Sequence, residues 1–207
     1  MPDAISLVFG LAILVMSVVI HEVSHGIAAY LLGDKTAYYE GRLTLNPIPH
    51  IDPFGSILLP LLLSLTGSPF LIGWAKPVPF NPYNLIKAPK WGPGIVAAAG
   101  PISNLVIATF FGILIRLGGH NIIPFPQQFL EISALIALLN IALAVFNLVP
   151  IPPLDGSKVL IAALPDRLHN IAIALEAWGF VLLIAFILLF SPVVSVITSI
   201  LFRIIVG

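Results

Sequence analysis

Two things are scarce in this 207-residue sequence: cysteine, of which it has none, and charged residues, which make up 9% of it. Without cysteine the chain has neither disulfides nor thiolate metal ligands, and its redox compartment stays open. A soluble domain carries about 25% charged residues. Because 59% of the residues here are hydrophobic, the composition predicts an integral membrane protein.

The charges that are present balance, with nine basic and nine acidic residues and no basic run. A nucleic acid or an anionic surface as partner would favour a cluster of positive charge. We therefore expect no nucleic-acid partner, and we expect the lipid bilayer to surround the protein. The sequence does not indicate an oligomeric state.

Long apolar runs account for most of the chain. Several reach the roughly 20 residues that a helix needs to cross the hydrocarbon layer, and the polar connections between them are short. We predict an all-α polytopic protein with one integral-membrane domain over residues 1–207. The first run lacks the basic flank and cleavage site of a signal peptide and is expected to be retained. The runs cover 4–33, 54–75, 94–118, 129–149, 170–190 and 192–206.

Ionisable residues interrupt the first of these runs. The sequence VVIHEVSHGIAAYLLG contains His21, Glu22 and His25, and ionisable groups within a membrane segment are functional candidates. One helical turn separates the histidines, so both imidazoles can bind one Zn²⁺ while Glu22 faces the water to be activated. The pattern predicts a zinc hydrolase site with Glu22 as general base. The alternative is a pair of histidines that only hydrogen-bond neighbouring helices.

A catalytic zinc site normally has three protein ligands and an open position, so a third ligand must come from elsewhere in the chain. The stretch NLVPIPPLDG breaks a later apolar run with three prolines and delivers one carboxylate, Asp155. Unwound backbone at membrane depth is tolerated where it is buried in protein or lines a cavity. Taken alone, these residues fit an ordinary surface turn equally well, because Pro-x-Asp-Gly is a turn signal.

The two motifs together, HEVSH and NLVPIPPLDG, resemble the site-2 protease family of intramembrane metalloproteases. GWAKPVPFNP at 73–82 and AGPISN at 99–104 match as well. The likeness is to the compact branch of the family, which lacks PDZ and CBS domains. It implies a helical core around zinc and a transmembrane protein as substrate.

The resemblance also assigns roles to individual residues. It implies that His21, His25 and Asp155 bind the metal and that Glu22 is the base. It further implies that two asparagines of the matching segments hold the substrate backbone or the developing oxyanion. Hydrogen bonding between helices is the alternative for this pair, which consists of Asn104 and Asn147.

Depth within the membrane constrains the topology. A shared metal requires the HEVSH helix and the helix before Asp155 to run in the same direction. The two helices would run in opposite directions if 54–75 and 94–118 both crossed the membrane. The first of these contains the helix breakers Pro60, Gly67 and Pro69, which favour a re-entrant hairpin that enters and leaves on one side.

With that arrangement most of the positive charge lies on one side of the membrane, and Arg116 lies on the other. The positive-inside rule makes the first side cytosolic. We expect a multi-pass protein of a prokaryotic cell membrane, with its site nearer the cytosolic face. The basic residues of that face are Lys35, Arg42, Lys76, Lys87, Lys90, Lys158 and Arg167.

The segment 38–53, YYEGRLTLNPIPHIDP, contains a short alternating pattern bounded by glycine and proline. It predicts a strand or small β-hairpin whose edge pairs with an extended substrate, and an interfacial loop is the alternative. His50 and Asp52 lie in this connection and are left out of the predicted site.

Two other functions compete with proteolysis: a membrane transporter and a catalytically inactive metal-binding scaffold. A transporter usually shows an internal repeat, and no second half matches the first in this sequence. The sequence names neither a physiological substrate nor a cleavage site nor a mode of regulation.

Overall fold

Helices make up nearly all of the regular structure. The computed structural model describes residues 4–58, 62, 74–120 and 122–207, and no strand occurs among them. Short 3-10 turns at Ile48–His50, Pro82–Asn84 and Asp166–Leu168 and a π-helical turn at Pro53–Leu58 join the α-helices. These are α1 (Ala4–Leu32), α2 (Thr36–Tyr39), α3 (Gly92–Gly119), α4 (Gln127–Asn147), α5 (Asp155–Ala163) and α6 (His169–Val206).

Four helices of the described part are long and apolar enough to cross a membrane. They are Val8–Leu32, Gly92–Gly119, Gln127–Asn147 and Asn170–Val206. The polytopic helical protein predicted from composition is therefore confirmed. The two last apolar runs of the sequence form one helix, because α6 continues through Pro192 for 38 residues.

The ends of the helices follow local chemistry. Helix α1 stops at Leu32 because Gly33 adopts a φ of +119°, a conformation that glycine takes without the steric cost of a Cβ atom. Helix α3 begins with Pro93 in its first turn, where the missing N–H of proline would be unpaired in any case.

The contacts between helices give their directions. Ser17 of α1 meets Asn140 of α4, and further along both helices His25 and Asn147 line the same cavity. Helices α1 and α4 therefore run in the same direction. Helix α3 runs against them, because its early residue Val96 meets His25 and its later residue Asn104 meets His21. The common direction of α1 and α4 is the one that a metal site shared by HEVSH and Asp155 requires.

The re-entrant hairpin predicted for 54–75 lies mostly outside the described residues. Its two ends are described, and they touch. Trp74 N–H donates to the Gly55 carbonyl at 3.2 Å, and the Ser56 hydroxyl donates to the Trp74 carbonyl at 2.7 Å. The described ends of the segment therefore lie side by side, as a re-entrant hairpin requires.

The strand or β-hairpin predicted in 38–53 does not form. All of that segment is described, and it consists of the end of α2, turns and a 3-10 turn. Gly41 turns the chain with a φ of +65°, and Pro47 and Pro49 lack the N–H groups that a ladder would need. Of the two residues left out of the site there, His50 is buried and hydrogen-bonds the Thr44 carbonyl at 3.0 Å.

Asp34 fixes the chain just after α1. Its buried carboxylate accepts hydrogen bonds from Thr36, from the Asn84 side chain at 3.0 Å and from the Asn81 N–H at 2.7 Å. Burial disfavours the charged form, but these hydrogen bonds outweigh it and hold the pKa of Asp34 below its ordinary value. Asp34 thereby ties residues 81–84 to the end of α1.

Candidate metal centre

His21, Glu22 and His25 lie together on the inner face of α1. Their ligand atoms are all within 4.8 Å of one another. Both histidines are buried, so neither imidazole is a lipid-facing or solvent-facing side chain. The i, i+4 spacing read from the sequence therefore brings the two imidazoles to one point, and the Glu22 carboxylate lies beside them.

Asp155 approaches the same point from the far end of the chain. Its Oδ2 atom lies 3.0 Å from His21 Nε2 and 3.2 Å from His25 Nε2. The proline-rich turn after α4 leads directly into α5, and Asp155 is the first residue of that helix. The surface-turn alternative does not hold, since Asp155 is buried at 9% relative exposure.

The remaining nitrogens of the two imidazoles fix the ring orientations. His21 Nδ1 lies 2.6 Å from Asn104 Oδ1, and His25 Nδ1 lies 2.7 Å from the Val96 carbonyl oxygen. A carbonyl oxygen only accepts, so both Nδ1 atoms are assigned as donors and both Nε2 atoms carry lone pairs. This is the pattern of metal-binding histidines, whose second ring nitrogen donates to a carbonyl or carboxylate.

The donor set fits a cation. Two Nε2 lone pairs and a carboxylate oxygen converge within 3.2 Å, and such acceptors are compatible only with a proton or a metal ion between them. Two imidazoles with one carboxylate are the ligands of a catalytic zinc site that keeps an open position. His21, His25 and Asp155 would hold the ion.

Glu22 is held separately from the three. Its Oε2 atom accepts a hydrogen bond from the Val78 N–H at 2.8 Å. Val78 belongs to residues 76–80, Lys-Pro-Val-Pro-Phe, which have no regular structure and cover one side of the site. This segment is called the proline strap below.

A cavity of about 150 Å³ joins these groups. Its walls come from α1, the proline strap, the first turns of α3, and the turn from α4 into α5. The volume accommodates water and a peptide group in contact with Glu22 and the candidate ligands. The lining residues are His21, Glu22, His25, Pro77, Val78, Phe80, Val96, Ala97, Asn147, Pro153, Asp155 and Lys158.

Gly100 lets α3 pack directly against the imidazoles. A Cβ atom at this position would lie 2.5 Å from His25 Nε2 and 2.6 Å from His21 Nε2, closer than any side chain could remain. Glycine is therefore required for α3 to approach α1 at this depth. The sequence placed Gly100 in a matching segment but did not indicate this role.

The two predicted asparagines lie in different places. Asn147 lines the cavity, and its Nδ2 donates to the Leu143 carbonyl at 3.0 Å. Asn104 is fully buried behind His21 and is not among the lining residues. Its Oδ1 accepts from His21 and its Nδ2 donates to Asn140 Oδ1 at 2.7 Å. Asn104 thus contacts the candidate ligand His21 from behind.

Asn140 was missed by sequence reasoning. It is fully buried on α4, and its Nδ2 donates to Ser17 Oγ and to the Ile136 carbonyl, both at 2.9 Å. These contacts leave Asn140 Oδ1 to accept from Asn104, which turns Asn104 Oδ1 toward His21. A signal was present, because an amide inside an apolar run is itself a functional candidate.

This amide pair gives a testable expectation. Asn140→Leu removes the acceptor that orients Asn104, so the Asn104 amide can rotate and present its NH₂ to His21. We expect metal affinity to fall by about 10–100-fold, as is typical when a group that orients a ligand is lost. Zinc titration of the purified variant measures this.

Ser133→Ala is the matched control for that measurement. Ser133 lies two turns earlier on α4, is buried at 1% exposure, and has a hydroxyl without a hydrogen-bond partner. Both changes remove a buried polar group from α4. Equal metal affinities for Asn140→Leu and Ser133→Ala would show that the amide pair does not orient His21.

Comparison with protein families and with curated proteins gives the same picture. The model of "Peptidase family M50" matches residues 121–191, a stretch that includes Asp155 but not HEVSH. No solved structure matches the chain significantly.

The curated relatives are bacterial. "Putative zinc metalloprotease YwhC" of Bacillus subtilis is 37% identical over 182 residues, which is 86% of this chain and 77% of that protein. "Putative zinc metalloprotease Rip2" of Mycolicibacterium smegmatis is 32% identical over 180 residues, which is 87% of this chain and 66% of the relative. Rip2 of Mycobacterium tuberculosis H37Rv is 32% identical over 145 residues, which is 70% of this chain and 53% of the relative. The chain thus spans about three quarters of the Bacillus relative and half to two thirds of the mycobacterial ones.

Proposed function

The chain belongs to peptidase family M50, the site-2 protease family, and on that premise we propose that it is an intramembrane zinc endopeptidase. It hydrolyses peptide bonds within or next to the transmembrane segments of membrane proteins. The single observation that carries this proposal is the convergence of Asp155 Oδ2 on the Nε2 atoms of His21 and His25, beside the carboxylate of Glu22.

Zinc is the ion proposed for this site. His21, His25 and Asp155 would bind it, and the chain contains no thiolate that could compete. When bound, zinc supplies Lewis acidity, which makes water acidic enough to lose a proton near neutral pH. The buried position of the ligands strengthens this effect, because a low-dielectric surrounding screens charge less than water does.

Glu22 is the proposed general base. The Val78 N–H fixes Oε2, so Oε1 is the atom assigned to take the proton from the attacking water. The same carboxyl group then returns the proton to the leaving amine, which keeps the proton balance of hydrolysis. A base held on one oxygen has fewer orientations to lose when the substrate binds.

Asn147 and Lys158 are the polar cavity residues that are neither proposed ligands nor the base. We assign Asn147 to the substrate backbone or to the developing oxyanion. An amide that presents a donor to that oxygen stabilises the transition state more than the ground state.

The site's place in the bundle supports a membrane substrate. It lies between three helices that are each long enough to span a bilayer, and at the end of α1 where most basic residues lie. Arg203, which sequence reasoning did not consider, joins Arg116 at the opposite end, where Arg116 donates to the Ile204 carbonyl. By the positive-inside rule, this distribution of charge supports a site nearer the cytosolic face, and we propose that orientation.

Reconstitution tests the proposal. The purified protein in lipid vesicles should cut a single-span substrate, a zinc chelator should abolish the cut, and added zinc should restore it. Mass spectrometry of the products should place the cleaved bond in or beside the span. Absence of cleavage across a panel of single-span substrates, with zinc bound at one ion per chain, would contradict the proposed activity and favour a metal-binding scaffold.

A further inference from the structure

The middle of the proline strap, residues 77–79, has a single backbone N–H to offer Glu22. Proline has no backbone N–H, so among residues 77–79 Val78 alone can donate. That N–H is the one on Glu22 Oε2, at 2.8 Å. Pro77 and Pro79 also restrict the backbone on both sides of Val78. The strap therefore presents a single, stiffly held donor to the proposed base.

Arg42 holds the beginning of the strap. One of its terminal nitrogens, NH2, donates to the Lys76 carbonyl at 2.8 Å and to the Pro77 carbonyl at 3.3 Å. The far end of the strap is followed at once by Asn81, which Asp34 ties to α1. The Val78 N–H thus lies between two fixed points.

The environment of Arg42 is unusual for an arginine. Only 4% of the residue is exposed, and its Nε has no hydrogen-bond partner. Buried arginines are normally paired with a carboxylate, yet none lies within salt-bridge distance in the part of the chain that is described. Backbone carbonyls of the strap take the place of a carboxylate partner. Burying a cation that has no anionic partner is costly.

We propose that Arg42 is a positioning residue for Glu22, acting through the strap. It fixes the carbonyls of Lys76 and Pro77, this fixes the Val78 N–H, and the N–H sets the orientation of the Glu22 carboxylate. The proposal rests on the proposed function in one respect, since it assigns Glu22 the role of general base. It adds a series of three hydrogen bonds that links Glu22 to Arg42, a residue outside α1.

Two substitutions interrupt this series of hydrogen bonds at different points. Arg42→Met removes the anchor while keeping a long apolar side chain, and Val78→Pro removes the N–H itself. Each should lower kcat by up to about 10²-fold, the loss that a misplacement of about 1 Å can cause. KM should change little, because the substrate contacts stay, and bound zinc should stay at one per chain.

The double variant separates positioning from a general structural role. If Arg42 acts through Val78, then Arg42→Met combined with Val78→Pro should be no slower than the slower single variant. Val78→Ala keeps the N–H and measures what the side chain contributes. Arg167→Met, an arginine change on the same side but outside the strap, should leave kcat unchanged.

Several results would overturn the proposal. A double variant whose loss equals the product of the two single losses would show that Arg42 acts elsewhere. So would unchanged turnover in Arg42→Met. Should that variant fail to fold, Val78→Pro and Val78→Ala decide alone, and equal losses of kcat would exclude the N–H as the contact that matters.

A readout without turnover keeps this test separate from the proposed function. The infrared carboxylate band of Glu22, assigned by its loss in Glu22→Gln, should shift in both Arg42→Met and Val78→Pro. A shifted band without any Glu22-dependent cleavage would support the strap and contradict the protease. An unshifted band with normal Glu22-dependent cleavage would contradict the strap alone.

Discussion

Glu22→Gln should abolish cleavage of a transmembrane substrate while leaving zinc bound. The amide keeps the shape of the carboxylate, and it can still accept from the Val78 N–H, which holds Oε2 in the parent protein. It cannot take a proton from water, and loss of a general base typically costs about 10²–10⁴-fold in rate. The measurements are product formation in lipid vesicles and metal content of the same sample.

Glu131→Gln is the matched control. It makes the same carboxylate-to-amide change at an exposed position near the start of α4, where Glu131 accepts a hydrogen bond from the Gln127 side chain. Full activity is expected there. Undiminished cleavage by Glu22→Gln would overturn the proposed mechanism, and loss of zinc from it would mean that Glu22 acts as a ligand.

Asp155→Ala should lose the metal. Removing a group that merely orients a ligand costs about 10–100-fold in metal affinity, so removing a direct ligand should cost more than 100-fold. The Oδ2 atom of Asp155 lies within 3.2 Å of both imidazole Nε2 atoms, and no neighbouring carboxylate can replace it without moving Glu22 from the base position. Zinc titration at constant pH measures the loss, and cleavage should disappear with it.

A change close to Asp155 tests whether disturbing α5 is enough to cause that loss. Ser157 lies two residues further on, and its hydroxyl donates to the Leu154 carbonyl at 2.7 Å. Ser157→Ala loosens the first turn of α5 but removes no candidate ligand, so it should keep its zinc. Full zinc occupancy in Asp155→Ala would remove Asp155 from the proposed ligand set.

The part of the site that could be predicted from sequence rests on short-range geometry. Helical spacing alone places His21 and His25 on one face, and the prolines before Asp155 announce an irregular segment at membrane depth. The helix directions followed from requiring one depth for both motifs. Each of these inferences depends on a local rule or on the number of membrane crossings between two helices. None of them depends on how side chains pack.

What was missed depends on packing between distant segments. The orientation of the Asn104 amide is set by Asn140, 36 residues away, and the distance between α3 and the imidazoles is set by the missing side chain of Gly100. The strand predicted in 38–53 failed because its alternation is only a few residues long. Backbone turns at Gly41 and the prolines that follow outweighed that weak preference.

The hydrogen bond between Trp74 and Gly55 has a consequence for the two ends of the described chain. If 54–75 re-enters, as the sequence predicts, the candidate crossings among the described residues are the four helices α1, α3, α4 and α6. Four is even, so this topology predicts that residues 4 and 206 lie in the same compartment, opposite Lys35. A tag or reporter joined at either position is then expected in that compartment, across the bilayer from the proline strap.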